Sequence, residues 1–170
     1  MIDVQPALTP HIHDGVKTVD RIVFLAKIAR LLEIPVLATE QNPERMGSTE
    51  AVLADLVGPA TSKMSFSALD SPEFLTRLRD TGRDQIVVTG FETHICVSLT
   101  ALQLAARDYE VIVCPDGVSA RTLERHKLGM ERIRDGGVVP AHSEAVAYEW
   151  LQSADHRNFR QALAIVKEHP

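Results

Sequence analysis

Short apolar runs rich in β-branched residues alternate with helical periodicity from one end of this chain to the other. IPVLATE (34–40), ATSKMSF (60–66), QIVVTG (85–90), EVIVCPDG (110–117) and GVVPA (137–141) are too short for helices and apolar on both faces. Runs of this kind are expected of parallel strands covered by helices on either side. Helices are expected between and after them, at 15–33, 72–81, 94–108, 120–135, 143–152 and 156–168. The first shows the pattern best, with Val19, Ile22, Val23, Ala26, Ala29 and Leu32 repeating at spacings of three and four. Ser71 and Pro72 form a helix start with Glu73 in the first turn, and Gly82 and the DGG at 135–137 form stops. The alternation predicts α/β architecture, an open sheet built from βαβ units in one domain spanning 1–170.

The 170 residues suffice for one sizeable core. A net charge of −5 disfavours nucleic acid and anionic membrane as partners. No apolar stretch approaches the roughly 20 residues of a membrane span. The first residues hold neither a basic segment nor an apolar signal core, so a cytoplasmic location is expected. Two cysteines, Cys96 and Cys114, are too few for a disulfide framework or a thiolate zinc site. The histidines form no spaced metal cluster and no strand is followed by a glycine-rich phosphate loop, so neither metal nor cofactor is expected. Met1–Val4 has the character of a strand but only two residues precede Asp3, against a usual length of about 5–6. The expectation is that the chain as given begins inside its first strand.

In open α/β sheets, ligands bind outside the carboxyl ends of the strands. The polar residues expected there are Asp3, Glu40, Gln41, Lys63, Glu92 to Cys96, and Asp116. A thiol attacks as thiolate and needs a base, with a positive charge or helix N-terminus nearby. Asp3 is a candidate base, Lys63 a candidate cation, and Cys96 falls in the first turn of an expected helix. Spacing alone leaves the ordinary reading open, in which Cys96 is a small buried hydrophobe, as Cys114 is expected to be. His94 lies two residues from Cys96, and residues at i and i+2 of a helix point to different faces. It is therefore expected on the substrate side or in packing, and not as the base.

These segments together resemble the isochorismatase-like cysteine hydrolases. The resemblance is carried by IDVQ (2–5), TEQNPERMG (39–47), SKMSFSAL (62–69) and GFETHICVSLTALQL (90–104), with DGVSAR (116–121) and AHSEAVAYEWL (141–151) in agreement. It implies a Rossmann-like three-layer sandwich around an open six-stranded parallel sheet of order 3-2-1-4-5-6. It also implies an Asp3–Lys63–Cys96 triad, a cis peptide at Phe91–Glu92, and an oxyanion hole made by the backbone N–H groups of Glu92 and Cys96. Members that hydrolyse nicotinamide carry an Asp and His metal site after the second strand, where this chain has TEQNPERMG and no histidine. An aromatic residue usual after the early Gln is replaced by Leu8. Gln41, Phe66, His94 and Leu8 are accordingly expected around the substrate.

Isochorismatase itself lacks the nucleophilic cysteine, so the resemblance favours hydrolysis of a small amide or related C–N bond through a thioester at Cys96. Two alternatives stay open: vinyl-ether hydrolysis by Asp3 and Lys63 with Cys96 a bystander, and a non-catalytic interaction module on the same fold. The apolar AVAYEWL and ALAIVKE segments, with the habits of the family, suggest a homo-oligomer acting on a small molecule.

Overall fold

The computed structural model describes residues 1–169. Five strands belong to named ladders: β1 Thr39–Gln41, β2 Thr61–Lys63, β3 Gln85–Phe91, β4 Glu110–Ser119 and β5 Val139–Pro140. β1 pairs in parallel with β2, and β3 with β4 with β5. Ile2 joins the two pieces through parallel bridges to Thr39 on one side and Gly90 on the other. The lateral order is thus β2, β1, Ile2, β3, β4, β5, compatible with the six-stranded 3-2-1-4-5-6 sheet once Ile2 counts as the first strand. Gly90 makes this seam possible. Its φ is +119°, and a Cβ there would lie 2.0 Å from the Ile2 carbonyl oxygen.

Eight helices accompany the strands: α1 Gly15–Leu31, α2 Pro43–Met46, α3 Ala51–Val57, α4 Pro72–Asp80, α5 Ser98–Ala105, α6 Leu123–Asp135, α7 Ser143–Leu151 and α8 Phe159–Glu168. Their starts follow local chemistry. Ser71 accepts from the Phe74 N–H (3.4 Å) at α4, and Thr122 accepts from the Arg125 N–H (3.2 Å) at α6. One core joins α4, α5 and α6 to the sheet through Phe74, Leu78, Ala101, Leu104 and Ile133. On the other face, α1 and α3 contribute Val19, Ile22, Leu53 and Val57, and α1, α7 and α8 contribute Phe24, Ile28, Val146 and Ala162. Two helical layers therefore enclose the sheet. Among the described residues no helix is long and apolar enough to cross a membrane.

Four expectations change in detail. Of the run at 34–40 only Thr39 and Glu40 enter the ladder, which continues to Gln41; ahead of it the Ala38 carbonyl accepts from the Thr61 N–H (2.8 Å) and the Leu37 carbonyl from the Met1 nitrogen (2.8 Å). That stretch instead borders a cavity of about 660 Å³, lined by Val36, Leu37, Ile86, Val87 and Trp150 among others. The strand at 60–66 stops at Lys63, whose side chain gathers the carbonyls that follow. The stretch at 42–57, left without elements by periodicity, forms α2 and α3. Pro43 opens the first and Leu53 with Val57 bury one stripe of the second. The helix expected from 94 begins as a regular α-helix only at Ser98.

Candidate active site

Asp3, Lys63 and Cys96 come from three chain segments and meet at the carboxyl end of the sheet. Asp3 follows the Ile2 bridge, has φ +51°, and is 1% exposed. Its backbone N–H donates to the Thr39 carbonyl (3.1 Å). Each carboxylate oxygen is anchored by a donor. The Thr39 hydroxyl donates to Oδ1 (2.7 Å) and the Lys63 ammonium donates to Oδ2 (2.6 Å). Gln5, fully buried in the IDVQ segment, accepts from the Gln41 N–H (2.9 Å) and donates to the Gln41 and Gly47 carbonyls (3.1 and 2.6 Å). This side chain continues the pairing after the backbone turns away at Asp3.

Lys63 ends β2 and is 3% exposed. Besides Asp3, its Nζ donates to Gln41 Oε1 (2.8 Å) and to the carbonyls of Ser65 (3.1 Å) and Phe66 (3.2 Å). Every neighbour is an acceptor, so three ammonium protons are shared among four oxygens and the lysine acts here as a fixed charge. A buried ion pair of this kind adds little to net stability, yet loss of one partner strands a buried charge. Gln41 also donates from Nε2 to the Met64 carbonyl (2.9 Å). The loop at 64–67 is thereby clamped to the triad while Met64 and Phe66 show their side chains to solvent.

Cys96 lies in a widened turn, Thr93–Val97, closed by a bond from the Val97 N–H to the Glu92 carbonyl (3.3 Å). Turns of this i to i+5 type are frequent at functional sites. The placement corrects the expected first turn of an α-helix and with it the expected ease of thiolate formation. Burial pushes the thiol up to about 12, and the Asp3 charge pushes the same way. Lys63 opposes both in part, while a hydrogen bond with Asp3 and the Glu92 charge add to the rise. The resting group is a neutral thiol beside a carboxylate. Cys114, fully buried on β4, is also pushed up, by burial first and then by Asp116 and Glu149. The carboxylate that acts on it, Asp116, is itself held by Ser143 and Arg21.

The Phe91–Glu92 peptide bond is cis. Among the described residues no group accepts a hydrogen bond from the Glu92 amide. The Glu92 carboxylate is engaged elsewhere, accepting from Arg121 Nε (2.9 Å) and the Arg121 N–H (3.2 Å). His94 Nδ1 is 4.0 Å from Glu92 Oε2 and has no hydrogen-bond partner among the described residues. Its pKa is lowered, chiefly by burial; Glu92 opposes this, and Arg121 and Arg125 add to it. A Cβ at Gly129 would stand 2.9 Å from the His94 backbone, so α6 packs directly on the cysteine-bearing turn. His126 binds Thr93 Oγ1 through Nδ1 (3.0 Å) from the same helix.

Other residues expected at strand ends have structural partners. Asp116 accepts from the Ser143 N–H (3.0 Å) at the start of α7 and faces buried Arg21 (3.4 Å). Glu40 accepts from the Thr49 N–H (2.6 Å) and hydroxyl (2.8 Å). Leu8 packs, partly buried, on the core formed by Val4, Ile12, Leu53 and their neighbours. The 660 Å³ cavity includes none of Asp3, Lys63 and Cys96 in its lining. Among the described residues no three His, Cys, Asp or Glu side chains gather as a metal site. Two residues escaped sequence reasoning, Thr39 and Arg121. Both sit inside the quoted motifs TEQNPERMG and DGVSAR, and their polarity beside an expected strand end was the available signal.

Comparison with known proteins supports the family and the fold. The model of the isochorismatase domain matches residues 1–145. Isochorismatase domain-containing protein 2A of Mus musculus is 32% identical over 171 residues, covering 99% of this chain and 81% of the mouse protein. Among solved structures, MAR1 ribonuclease from Caenorhabditis elegans superposes with a TM-score of 0.92 at 25% identity, covering 98% of this chain and 86% of that one. The Escherichia coli YcaC gene product, an octameric hydrolase of unknown specificity, shares the fold with a TM-score of 0.91 at 21% identity, over 99% of this chain and 84% of its own. The chain belongs to the isochorismatase family, whose members are hydrolases on this α/β fold.

Proposed function

We propose that the protein is a cysteine hydrolase that cleaves a small amide or related C–N bond through a thioester on Cys96. One observation carries the reading: a buried thiol shares its surroundings with a carboxylate whose other contacts, Lys63 and Thr39, hold it in place. As sulfur attacks the carbonyl carbon, its proton passes to Asp3, and the oxygen becomes an oxyanion. The N–H groups of Glu92 and Cys96 are assigned to receive that charge. Protonated Asp3 then gives its proton to the departing nitrogen as the C–N bond breaks, leaving the acyl group on sulfur. Asp3 next takes a proton from water, whose oxygen attacks the thioester. Collapse of this second intermediate releases the acid, and the thiol regains its proton from Asp3.

Lys63 pairs with the Asp3 carboxylate and holds it in place between proton transfers. Phe66 and His94 are assigned to the substrate side, Gln41 holds the lysine and the loop, and Leu8 supports the wall behind. A small molecule fits the acidic chain better than a nucleic acid, since the net charge of −5 offers polyanions no basic track. No metal or cofactor enters these steps. Exposed Met64 and Phe66 beside the site, and Leu123 and Leu128 on α6, make self-association the natural way to cover apolar surface, and a cytoplasmic homo-oligomer is proposed.

The test is a panel of small amides and carbamoyl compounds turned over by wild type and by Cys96→Ala. Turnover should vanish in the variant with the thermal midpoint nearly unchanged, and rapid quench should trap an acylated Cys96 by mass spectrometry. Retained turnover in Cys96→Ala would instead establish direct hydrolysis by Asp3 and Lys63.

A further inference from the structure

We infer that Thr39 is a positioning residue that makes Asp3 an effective base, acting through its hydroxyl proton. The inference rests on the cysteine-hydrolase reading above. Asp3 has left the extended backbone region, with φ +51°, so the regular pleat of a strand does not direct its side chain. Its orientation has to come from hydrogen bonds. Lys63 fixes one oxygen, and a single bond leaves the carboxylate free to swing about it. Thr39 removes that freedom by donating to the other oxygen at 2.7 Å.

The donor is itself immobile. Thr39 is fully buried, its N–H donates to the Met1 carbonyl (3.1 Å), and its carbonyl accepts from the Asp3 N–H (3.1 Å). On its other side it is paired with Thr61. A β-branched side chain held in a ladder on both sides has little rotameric freedom. The Thr39 hydroxyl has no other acceptor among the described residues. Charge-assisted bonds of this sort are short and strong where water is excluded.

With both oxygens anchored, the remaining lone pairs of Asp3 keep one direction relative to Cys96. The charged and titratable groups facing this carboxylate are Lys63 from β2, Cys96 from the widened turn and the Met1 amino group, whose pKa burial lowers to about 6, with Glu92 facing the thiol. Replacing Thr39 by valine keeps all of these and the shape, and removes only the donated proton.

The experiment follows alkylation of Cys96 by iodoacetamide, read by peptide mass spectrometry from acidic to mildly alkaline pH, with Cys114 as internal reference. In Thr39→Val the rate at Cys96 should fall about tenfold through loss of alignment. Thr39→Ser, which keeps the proton, should restore the wild-type profile. In an Asp3→Asn background the valine substitution should change nothing further. A Thr39→Val profile that coincides with wild type, or a serine variant as impaired as valine, would overturn the inference. If the valine variant does not fold, Thr39→Ala removes the same proton and must show the same fall; failure of both to fold overturns positioning in favour of a purely structural hydroxyl. A wild-type Cys96 no more reactive than Cys114 would sink the cysteine-hydrolase reading itself, a different result from any of these.

Discussion

The raised thiol pKa makes a prediction that separates two ways of using Cys96. With the group at about 12, the free thiolate is about one part in 10⁵ at pH 7. If only that thiolate reacted, the rate would rise tenfold with each pH unit, about a thousandfold from pH 6 to 9. If Asp3 takes the proton as sulfur attacks, the reacting form is the neutral thiol beside an ionised carboxylate, and its population is constant across that range. The expected profile for wild-type alkylation by iodoacetamide is therefore flat from pH 6 to 9. Asp3→Asn removes the base and should restore the tenfold rise per unit, with a lower rate at neutral pH. It also removes the second-largest cause of the raised pKa, so its rate should approach or pass wild type at the alkaline end. Cys114, fully buried and without a hydrogen bond to a carboxylate among the described residues, should be slow and follow the steep profile throughout. Stopped aliquots digested and quantified at both cysteines give the rates directly. A steep profile at wild-type Cys96 would refute general-base activation and return the mechanism to a preformed thiolate.

Two further outcomes concern stability. Both thiols are harder to ionise folded than at the ordinary 9.0, so their contribution is full below pH 9 and is lost as pH rises from there towards 12. At pH 10 this amounts to roughly 1 kcal/mol per thiol, and urea midpoints at pH 8 and 10 should fall less in Cys114→Ala than in wild type; equal falls would contradict it. Arg21, 7% exposed, holds Asp116, Ser143 and the His169 carbonyl (2.6 Å) and lies 4.5 Å over the Phe24 ring. Arg21→Met should cost about 3–5 kcal/mol in urea unfolding, because it strands the partly buried Asp116 carboxylate, and a loss under 1 kcal/mol would show that Asp116 is solvated well enough without it.

The division between what was legible in the sequence and what was not follows the range of the interactions involved. β3 and β4 were legible because QIVVTG and EVIVCPDG are β-branched and sit mid-sheet, where burial on both faces leaves one pattern. α1 was legible because its apolar stripe repeats over 17 residues. α2 and α3 were not, since stretches of 4 and 7 residues leave periodicity too little length to register. At the site, the resemblance supplied Asp3, Lys63 and Cys96, but residue types alone could not say that four oxygens surround the Lys63 ammonium. They also could not set the balance of burial against charge at Cys96, since each is a sum over neighbours far apart in the chain. That balance decides the chemistry. On the proposed mechanism Lys63 offsets burial at Cys96 only in part, so proton removal falls to the carboxylate it steadies, and the reactivity of Cys96 becomes a property of Asp3.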